Sequence, residues 1–463
     1  MSYRIAAVLP AFTVQPCAHA ISTNELERVL HNVPDTVSIP AHSQAEPGVA
    51  ADDPSSGRRG RRRVLGRSRP LLLIAAVTIA GVGLGTIAHE GQGREMPAPA
   101  RTAAVPAGDA VQERALTGLN SFVNWLDKNK VKGYVGEVGW PKERDSAEWN
   151  ALAEQWYKQA DQAHLWVTQW TVSRFWGTTY QLTPYQPVNP QWGGNVAQAM
   201  PSSAVLERHP STADYMRGVD VSGGDIFGQS FGTKSDQTCN LRPGRYAYDW
   251  LYDDASTYKY LASRGVKLVR IGVRWERLQP ALSGDFDPVE LKRLNDSVDA
   301  ARAAGLNVVV DLHNYGAYWS CASPTAPTER NSIGTDAVPY TAFADVWRKL
   351  SSNFKSDVGV YYGLMNEPVD MAPEGGRPPA QVWEKASQTA LDAIRSNGDN
   401  KLVTVGGYQW SGAATWAENH ARSWIADPAN NFRYEAHQYF DGTTSGEYVD
   451  SYQDELASAK AGK

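Results

Sequence analysis

Cysteine is scarce in this chain, and the absence of several motifs excludes whole classes of function. Only Cys17, Cys239 and Cys321 occur in 463 residues, which is too few for a disulfide scaffold or a four-thiolate zinc site. The nine histidines form no HExxH pattern and no metal-like cluster, and no GxxxxGK[ST] loop occurs. We therefore expect neither a metal site nor a P-loop nucleotide site.

Basic residues are concentrated in one short segment. The net charge is −5, yet residues 58–69 hold seven arginines and no acid, which leaves −12 for the rest of the chain. A nucleic-acid-binding domain needs the opposite sign on its folded surface. The charge distribution therefore argues against a nucleic-acid partner.

A long apolar run comes directly after the arginines. Residues 71–88 are 18 uncharged residues, which span about 27 Å as a helix, close to the thickness of a bilayer core. Positive charge before such a run keeps the N-terminus in the cytoplasm and exports the rest of the chain. We expect residues 70–89 to be a transmembrane anchor or a signal segment, and residues 71–88 to contact the membrane if uncleaved. Residues 1–69 are predicted to be a tail and residues 90–110 a linker.

From residue 111 to residue 463, short β-branched runs alternate with helical segments. One helix is expected to begin at Asp287, whose carboxylate caps it, with Pro288 at its first position and Glu290 closing a capping box. Gly305 is expected to end that helix. Repeated strand–helix units of this kind predict a parallel sheet covered by helices.

Polar or aromatic residues end several of the predicted strands. These residues are Arg270, His313, Glu367 and His437. In a (β/α)8 barrel the carboxyl ends of the strands form the active-site face, whereas a doubly wound sheet would concentrate such residues at one switch point. The spread of polar strand ends along the chain favours the (β/α)8 barrel.

Four segments resemble glycoside hydrolase family 5, whose members are retaining β-glycosidases on (β/α)8 barrels, and look most like its cellulase branch. They are Val269–Pro280 (VRIGVRWERLQP), Asp311–Tyr315 (DLHNY), Gly363–Pro368 (GLMNEP) and His437–Asp441 (HQYFD). The resemblance implies that Glu367 is the general acid/base and that Asn366 contacts the sugar 2-hydroxyl. It also places Arg270, His313, His437 and Tyr439 at substrate-binding positions.

The second carboxylate that such an enzyme needs lies at the other end of the chain. Residues 119–141 resemble the family's sixth helix and seventh strand, and the Gly136-Glu137 dipeptide within them places the nucleophile at Glu137. Residues 166–177 resemble the eighth strand, in which Trp170 would form the floor of the subsite where cleavage occurs. Residues 215–225 resemble the first strand. The order predicts a circular permutation of the family barrel; a damaged tandem array is the rival, but each motif occurs once.

The resemblance implies hydrolysis of a β-linked polysaccharide or oligosaccharide with retention of configuration. Glu137 would attack the anomeric carbon, and Glu367, held protonated by its neighbour's charge, would protonate the leaving oxygen. Arg270 would orient Glu137 and keep it ionised. We expect an endo-β-1,4-glucanase without a cofactor; a β-mannanase and a non-catalytic glycan-binding barrel are the alternatives. The tryptophans that come after predicted strands and could extend the cleft are Trp140, Trp176, Trp319 and Trp410.

Two cysteines fall in loops that the resemblance places on the active face. Cys239 comes after the family's first strand and Cys321 after its third, in a domain expected outside the cytoplasm. We therefore expect a disulfide between them, while Cys17 would stay free in the reducing cytoplasm. The barrel is expected to be membrane-anchored, or secreted after cleavage.

Overall fold

The computed structural model describes residues 108–189, 193–226, 246–247, 250–320 and 329–461. By internal contacts the chain divides into Met1–Glu95 and Met96–Lys463, and every described residue belongs to the second unit. The predicted tail, the apolar run 71–88 and all three cysteines lie outside the described residues. Among the helices that are described, none has the length and apolar character needed to cross a membrane.

Twelve strands and ten helices make up the described part of the chain. The strands are β1 (Gly133–Gly139), β2 (Trp166–Val172), β3 (Tyr185–Pro187), β4 (Val196–Ala199), β5 (Arg217–Val221), β6 (Leu268–Val273), β7 (Asn307–Leu312), β8 (Ala317–Ser320), β9 (Glu329–Ser332), β10 (Val360–Gly363), β11 (Val403–Gly406) and β12 (Phe432–Tyr439). The helices are α1 (Ala110–Asn129), α2 (Ser146–Gln162), α3 (Ser203–Arg208), α4 (Ala255–Ser263), α5 (Trp275–Leu278), α6 (Pro288–Ala303), α7 (Tyr340–Phe354), α8 (Pro379–Ser396), α9 (Trp416–Asn419) and α10 (Tyr452–Lys460).

Eight of the strands close a parallel barrel. Their order around it is β1-β12-β11-β10-β7-β6-β5-β2, so each barrel strand pairs with the next one along the chain and the first pairs with the last. The remaining strands form two antiparallel pairs, β3 with β4 and β8 with β9. The predicted (β/α)8 barrel is confirmed.

The pairing of β1 with β12 closes the barrel across a long separation in sequence. The register shifts between Val135 and Glu137, which indicates a bulge, and brings Glu137 opposite His437. Residues that are opposite each other on neighbouring parallel strands lie at the same level along the barrel axis. The closure therefore places two of the predicted site residues side by side.

Helix α6 shows why the local sequence forms these elements. The Asp287 carboxylate accepts hydrogen bonds from the Val289 and Glu290 amides, and Pro288 occupies the first turn, as predicted. The capping box is wrong in its second half, because the Asp287 amide donates to the Leu278 carbonyl and Glu290 accepts from the Tyr252 hydroxyl. Gly305 ends the helix at a φ of +82°, a conformation that favours glycine.

The residues after β12 are tied to α1 by polar contacts. Arg114 donates to the Phe440 carbonyl at 2.8 Å and pairs with Glu455 of α10 at 3.1 Å. The Tyr452 hydroxyl donates to the Asp109 carboxylate, which caps α1. We call this set of contacts the terminal seam. It fixes the last helix against the first described helix.

Candidate functional site

All eight side chains predicted for catalysis and substrate binding lie at one end of the barrel. Glu137 lies on β1, Trp170 on β2, Arg270 on β6, His313 directly after β7, Asn366 and Glu367 after β10, and His437 and Tyr439 on β12. These are positions at or near the carboxyl ends of parallel strands, which share one face of the barrel. The structure therefore gathers residues that are up to 302 positions apart in sequence.

The two predicted catalytic glutamates face each other across His437. Single side-chain oxygens of Glu137 and Glu367 and a ring nitrogen of His437 lie within 4.8 Å of one another. His437 Nδ1 is 2.8 Å from Glu367 Oε1 and 3.7 Å from Glu137 Oε2. Retaining glycosidases place their carboxyl groups about 5 to 5.5 Å apart, whereas inverting enzymes need at least about 6.5 Å. The spacing fits a retaining pair.

His437 is a buried cation between carboxylates. Burial alone lowers its pKa, but Glu137, Glu367 and Glu435 outweigh burial and raise that pKa to about 10. The ring therefore stays protonated at neutral pH, and both of its nitrogens donate. Its Nε2 lies 3.3 Å from Glu435 Oε1. The pKa of Glu435 falls to about 2, because Arg270, His437 and Thr404 together outweigh its burial.

Glu137 is held by two donors in a site that water barely reaches. Tyr439 donates to its Oε2 at 2.6 Å and Arg270 Nη1 to its Oε1 at 3.1 Å. Only 4% of the residue is exposed. Burial and Glu367 raise the pKa of Glu137 despite the opposing charges of His437 and Arg270. Arg270 is thus placed as predicted, but burial has the larger effect on this carboxyl.

Arg270 is the centre of a group of acids that were not identified from the sequence. Besides Glu137, its guanidinium lies 3.0 Å from Asp220, 3.1 Å from Asp311 and 3.0 Å from Glu435. We call these five residues the Arg270 cluster. The sequence did contain a signal for two of these acids, because Glu435 and Asp311 precede His437 and His313 by two residues. Side chains two apart on a strand face the same side.

Asn366 is oriented by its neighbours. Its Oδ1 accepts from Arg270 Nη2 at 2.7 Å, so its amide nitrogen faces His313 Nε2 at 3.0 Å. That nitrogen must accept, which assigns the ring proton of His313 to Nδ1, 2.8 Å from Asp311. Both ring nitrogens of His313 are therefore occupied by protein partners. The geometry favours a role in orienting Asn366 over a direct hydrogen bond to sugar.

The loop that carries Glu367 has a strained backbone. Glu367 has a φ of +44° and Tyr315, in the loop after β7, a φ of +55°. Non-glycine residues adopt this left-handed conformation only when surrounding contacts impose it. The Tyr315 amide donates to the Asn366 carbonyl at 3.0 Å, and the Asn366 amide to the Leu312 carbonyl at 3.0 Å. The two loops thus fix the direction of the Glu367 side chain.

An inner cavity of about 210 Å³ opens above Glu137 and Glu367. Trp170 lines this cavity. Its indole stacks on the imidazole of His313, with 5.9 Å between the ring centroids, and its Nε1 donates to the Tyr180 hydroxyl at 2.8 Å. Tyr180 also lines this cavity and was not identified from the sequence. A flat aromatic wall next to two carboxylates suits a sugar ring.

A second, outer cavity of about 520 Å³ shares Glu367, Tyr439 and Ser445 with the inner one. Its lining comes from α1, from β12 and from the loops after β11 and β12, and it includes Trp410, which is 49% exposed. Gln409, Trp410 and Ser411 all have positive φ values, and this turn presents the indole to the cavity. Among the other tryptophans considered for the cleft, Trp140 is fully buried against Tyr157 and Phe440 and belongs to the core.

The spacing of Glu137, Glu367 and His437 is also one that metal ligands can have. A histidine must be neutral at the coordinating nitrogen to bind a metal. The raised pKa of His437 keeps its ring protonated, so the imidazolium supplies the positive charge between the two carboxylates. The arrangement suits acid–base and nucleophilic chemistry by two carboxyl groups better than metal coordination.

Comparisons with known proteins agree with this geometry. A family model described as cellulase (glycosyl hydrolase family 5) matches residues 225–461, just over half of the chain. Endoglucanase gh5-1 of Neurospora crassa is 31% identical over 232 residues, covering 50% of this chain and 51% of that protein. Endo-beta-1,4-glucanase B of Aspergillus niger is 29% identical over 226 residues, covering 48% and 60%.

A solved structure is also similar. The endo-beta-1,4-glucanase of Xanthomonas axonopodis pv. citri is 36% identical, covers 53% of this chain and 72% of that chain, and has a TM-score of 0.42. The chain spans only about half to three fifths of the two fungal relatives. The family match, which extends over more than half of the chain, nevertheless establishes the assignment: this chain belongs to glycoside hydrolase family 5.

Proposed function

We propose that this protein is a retaining endo-β-1,4-glucanase in which Glu137 is the nucleophile and Glu367 the general acid/base. The observation that carries the proposal is that one side-chain oxygen of Glu137 and one of Glu367 lie within 4.8 Å of each other at the carboxyl end of the barrel. Inverting enzymes keep their carboxyl groups at least about 6.5 Å apart to admit a water molecule, so a separation this short favours retention. It supports direct attack by one carboxylate.

The reaction proceeds in two displacements. Glu367 gives its proton to the glycosidic oxygen while Glu137 attacks the anomeric carbon, so that the glycosidic bond breaks and a glycosyl ester with Glu137 forms. Glu367 then removes a proton from water, and the resulting hydroxide attacks the anomeric carbon and releases Glu137. No redox step or further reactant is needed. The product keeps the β-configuration of the substrate.

The hydrogen-bond donors around the two glutamates stabilise the negative charge that moves between these residues during the reaction. Arg270 and Tyr439 hold the Glu137 carboxylate ready to attack, and the same donors assist its departure in the second step. His437 faces both glutamates, so its fixed positive charge stabilises whichever one is ionised. These contacts involve rigid barrel strands, which keep the geometry constant between the two steps.

The substrate class is inferred from the shape of the site and from the relatives. Glu367 lines both cavities, which supports binding of several sugar units around the scissile bond and hence cleavage within a chain. The relatives described above are named as endo-β-1,4-glucanases or endoglucanases, which supports β-1,4-glucan over mannan. The domain is proposed to work outside the cytoplasm, where such polymers occur, either anchored or secreted.

We also propose that the barrel is a circular permutation of the family fold. Two observations support this. The family model matches only from residue 225 onward, while Glu137 and Trp170 precede that point. The strand of Glu137 lies between β12 and β2, which resemble the family's sixth and eighth strands. A single set of eight strands in one closed barrel argues against a damaged tandem array.

Azide rescue of glycine variants tests the two roles. With an aryl β-cellobioside as substrate, Glu137→Gly and Glu367→Gly are each expected to lose about 10³-fold or more in kcat. Azide added to Glu137→Gly takes the place of the nucleophile and should yield the α-glycosyl azide. Azide added to Glu367→Gly attacks the glycosyl ester and should yield the β-glycosyl azide.

The exposed Glu418 on α9 provides a matched control, and Glu418→Gln is expected to retain wild-type activity. Product configuration is read by proton NMR. If both variants give the same anomer, or if neither loses activity, the assignment of the two roles is wrong. A higher rate on soluble mannan than on soluble β-1,4-glucan would replace the glucanase with a mannanase while leaving the mechanism in place.

A further inference from the structure

The Arg270 cluster holds more acids than the nearby cations can balance. Four carboxylates lie within 3.1 Å of the Arg270 guanidinium, and none of their side chains is more than 5% exposed. His437 is the next cation, but it also faces Glu367. Unpaired buried charge is strongly unfavourable, so some of these acids keep their protons. Under the proposed mechanism Glu367 holds one, which leaves four carboxylates facing Arg270 and His437. His313 also faces Asp311, and the nearby acids raise its pKa against the effect of burial. Even with His313 charged there are only three cations for four carboxylates.

The contacts of the second oxygens identify which other acid is neutral. Glu137 Oε2 accepts from Tyr439, Asp311 Oδ2 faces His313 Nδ1, and Glu435 Oε2 accepts from the Thr404 hydroxyl. Asp220 Oδ2 and Asp311 Oδ1 are both fully buried and have no hydrogen-bond partner among the described residues. Asp311 nevertheless faces two partners, because its Oδ1 lies 3.1 Å from Arg270 and its Oδ2 faces His313, whereas the carboxyl group of Asp220 is hydrogen-bonded, in the described part of the chain, by Arg270 alone. Within the cluster, Asp220 therefore has the weakest support for a negative charge.

The surroundings of Asp220 add little that would stabilise an anion. Glu137 and the Tyr134 ring face it from β1, Arg270 from β6, His437 from β12 and Tyr157 from α2. From β2, the Thr171 hydroxyl donates to its backbone carbonyl and not to its carboxyl group. Burial and Glu137 raise the pKa of Asp220 well above its usual value, against the opposing charges of Arg270 and His437.

We propose that Asp220 is a positioning residue that keeps its carboxyl proton in the folded protein and so leaves Glu137 as the anionic partner of Arg270 Nη1. That nitrogen lies 3.1 Å from Glu137 Oε1 and 3.0 Å from Asp220 Oδ1, so the two acids share one donor. An ionised Asp220 would draw the guanidinium away and add a second negative charge beside the nucleophile. The kinetic part of this inference rests on the proposed function.

The melting temperature of Asp220→Asn as a function of pH tests the inference without substrate. An acid that stays protonated on folding binds more protons in the folded state, so it lowers stability as pH rises from about 4, the pKa of a free aspartate. Asparagine removes that loss. We expect Asp220→Asn to melt above the wild type by about 2 °C or more at pH 7, by a margin that shrinks toward pH 4.

Asp311→Asn is the matched control, because both oxygens of Asp311 face partners. It should melt below the wild type at pH 7. If Asp220→Asn melts below the wild type at pH 7, or fails to fold, Asp220 is an ionised partner of Arg270 and the inference is wrong. If both variants melt higher, any loss of negative charge is stabilising, and the specific assignment to Asp220 also fails.

The pH profile of kcat/KM gives a readout that a purely structural role would not produce. If Asp220 is already neutral, Asp220→Asn should leave the midpoint of the acidic limb within about 0.3 pH unit of the wild type. A midpoint lower by about one unit or more would mean that a negative charge beside Glu137 had been removed, and would overturn the inference. If the wild type hydrolyses no β-1,4-glucan, the proposed function fails, and the melting comparison alone decides the state of Asp220.

Discussion

The Tyr439 hydroxyl donates a 2.6 Å hydrogen bond to Oε2 of Glu137, the oxygen that also faces His437. The two residues are 302 positions apart in sequence but lie on the paired strands β1 and β12, near their carboxyl ends. A hydrogen bond to a charged group is worth about 1.5 to 3 kcal/mol, which makes this contact a major determinant of the state of Glu137.

Replacing the Tyr439 hydroxyl should weaken the stabilisation of Glu137, the proposed nucleophile. Tyr439→Phe is expected to lower kcat/KM on soluble β-1,4-glucan about 10- to 100-fold and to move the acidic limb of the pH profile to higher pH. Tyr452→Phe removes a hydroxyl in the terminal seam and should leave both quantities unchanged. An unshifted acidic limb in Tyr439→Phe would mean that the bond does not act on the titration of Glu137.

Protonation of His437 links its charge to stability. A histidine whose pKa rises from about 6.5 in the unfolded chain to about 10 in the folded protein stabilises fully below pH 6.5, and this contribution is lost as pH rises toward 10. His437→Gln should therefore melt several °C below the wild type at pH 6, and the gap should narrow by pH 10. The exposed His164 offers the control His164→Gln, for which no such gap is expected. A gap that is constant from pH 6 to pH 10 would contradict the raised pKa.

Glu435 should dominate part of the acid unfolding curve. Its pKa of about 2 lies below that of an unfolded glutamate, so it adds stability above about pH 4.5 that is lost as pH falls toward 2. Glu435→Gln is expected to be less stable than the wild type at pH 6 and to lose less stability between pH 4.5 and pH 2.5. Urea unfolding at each pH measures both. Parallel curves for the two proteins would rule out an ionised Glu435.

Trp410 should affect long substrates more than short ones. Its half-exposed indole lines the outer cavity, where a further sugar ring can stack. Trp410→Ala is expected to raise KM about 3- to 10-fold for a cello-oligosaccharide that spans both cavities and to leave an aryl β-cellobioside unaffected. Val358→Ala, at an exposed position before β10, is the control. Equal losses on both substrates would place the effect of Trp410 at the reacting sugar.

The sequence predicted the barrel architecture, and it pointed to the two proposed reacting groups, because both leave local signals. Alternating strands and helices identified the barrel, and short motifs identified Glu137 and Glu367 with their neighbours. The acids Asp220, Asp311 and Glu435 were missed, since a buried carboxylate resembles any other Asp or Glu in sequence. Only the barrel closure, which brings β5, β7 and β12 around Arg270, gives them a common partner.

The details of the cleft could not be read from the sequence for a different reason. Trp140 and Trp410 both come after predicted strands, yet one is fully buried and the other is half-exposed. The difference depends on the turn of three positive φ residues around Trp410 and on the helix packed over Trp140. The domain boundaries, the permutation and the Cys239–Cys321 disulfide stay predictions.

The pairing of β1 with β12 has a consequence for how the protein matures. Glu137 is synthesised before its donors Arg270 and Tyr439, which follow 133 and 302 residues later. Until the last barrel strand pairs with the first, β1 and its apolar neighbours expose an open edge that invites aggregation. Strand β12 must therefore be synthesised before the proposed active centre can assemble, and a nascent chain truncated before β12 would need a chaperone to stay soluble.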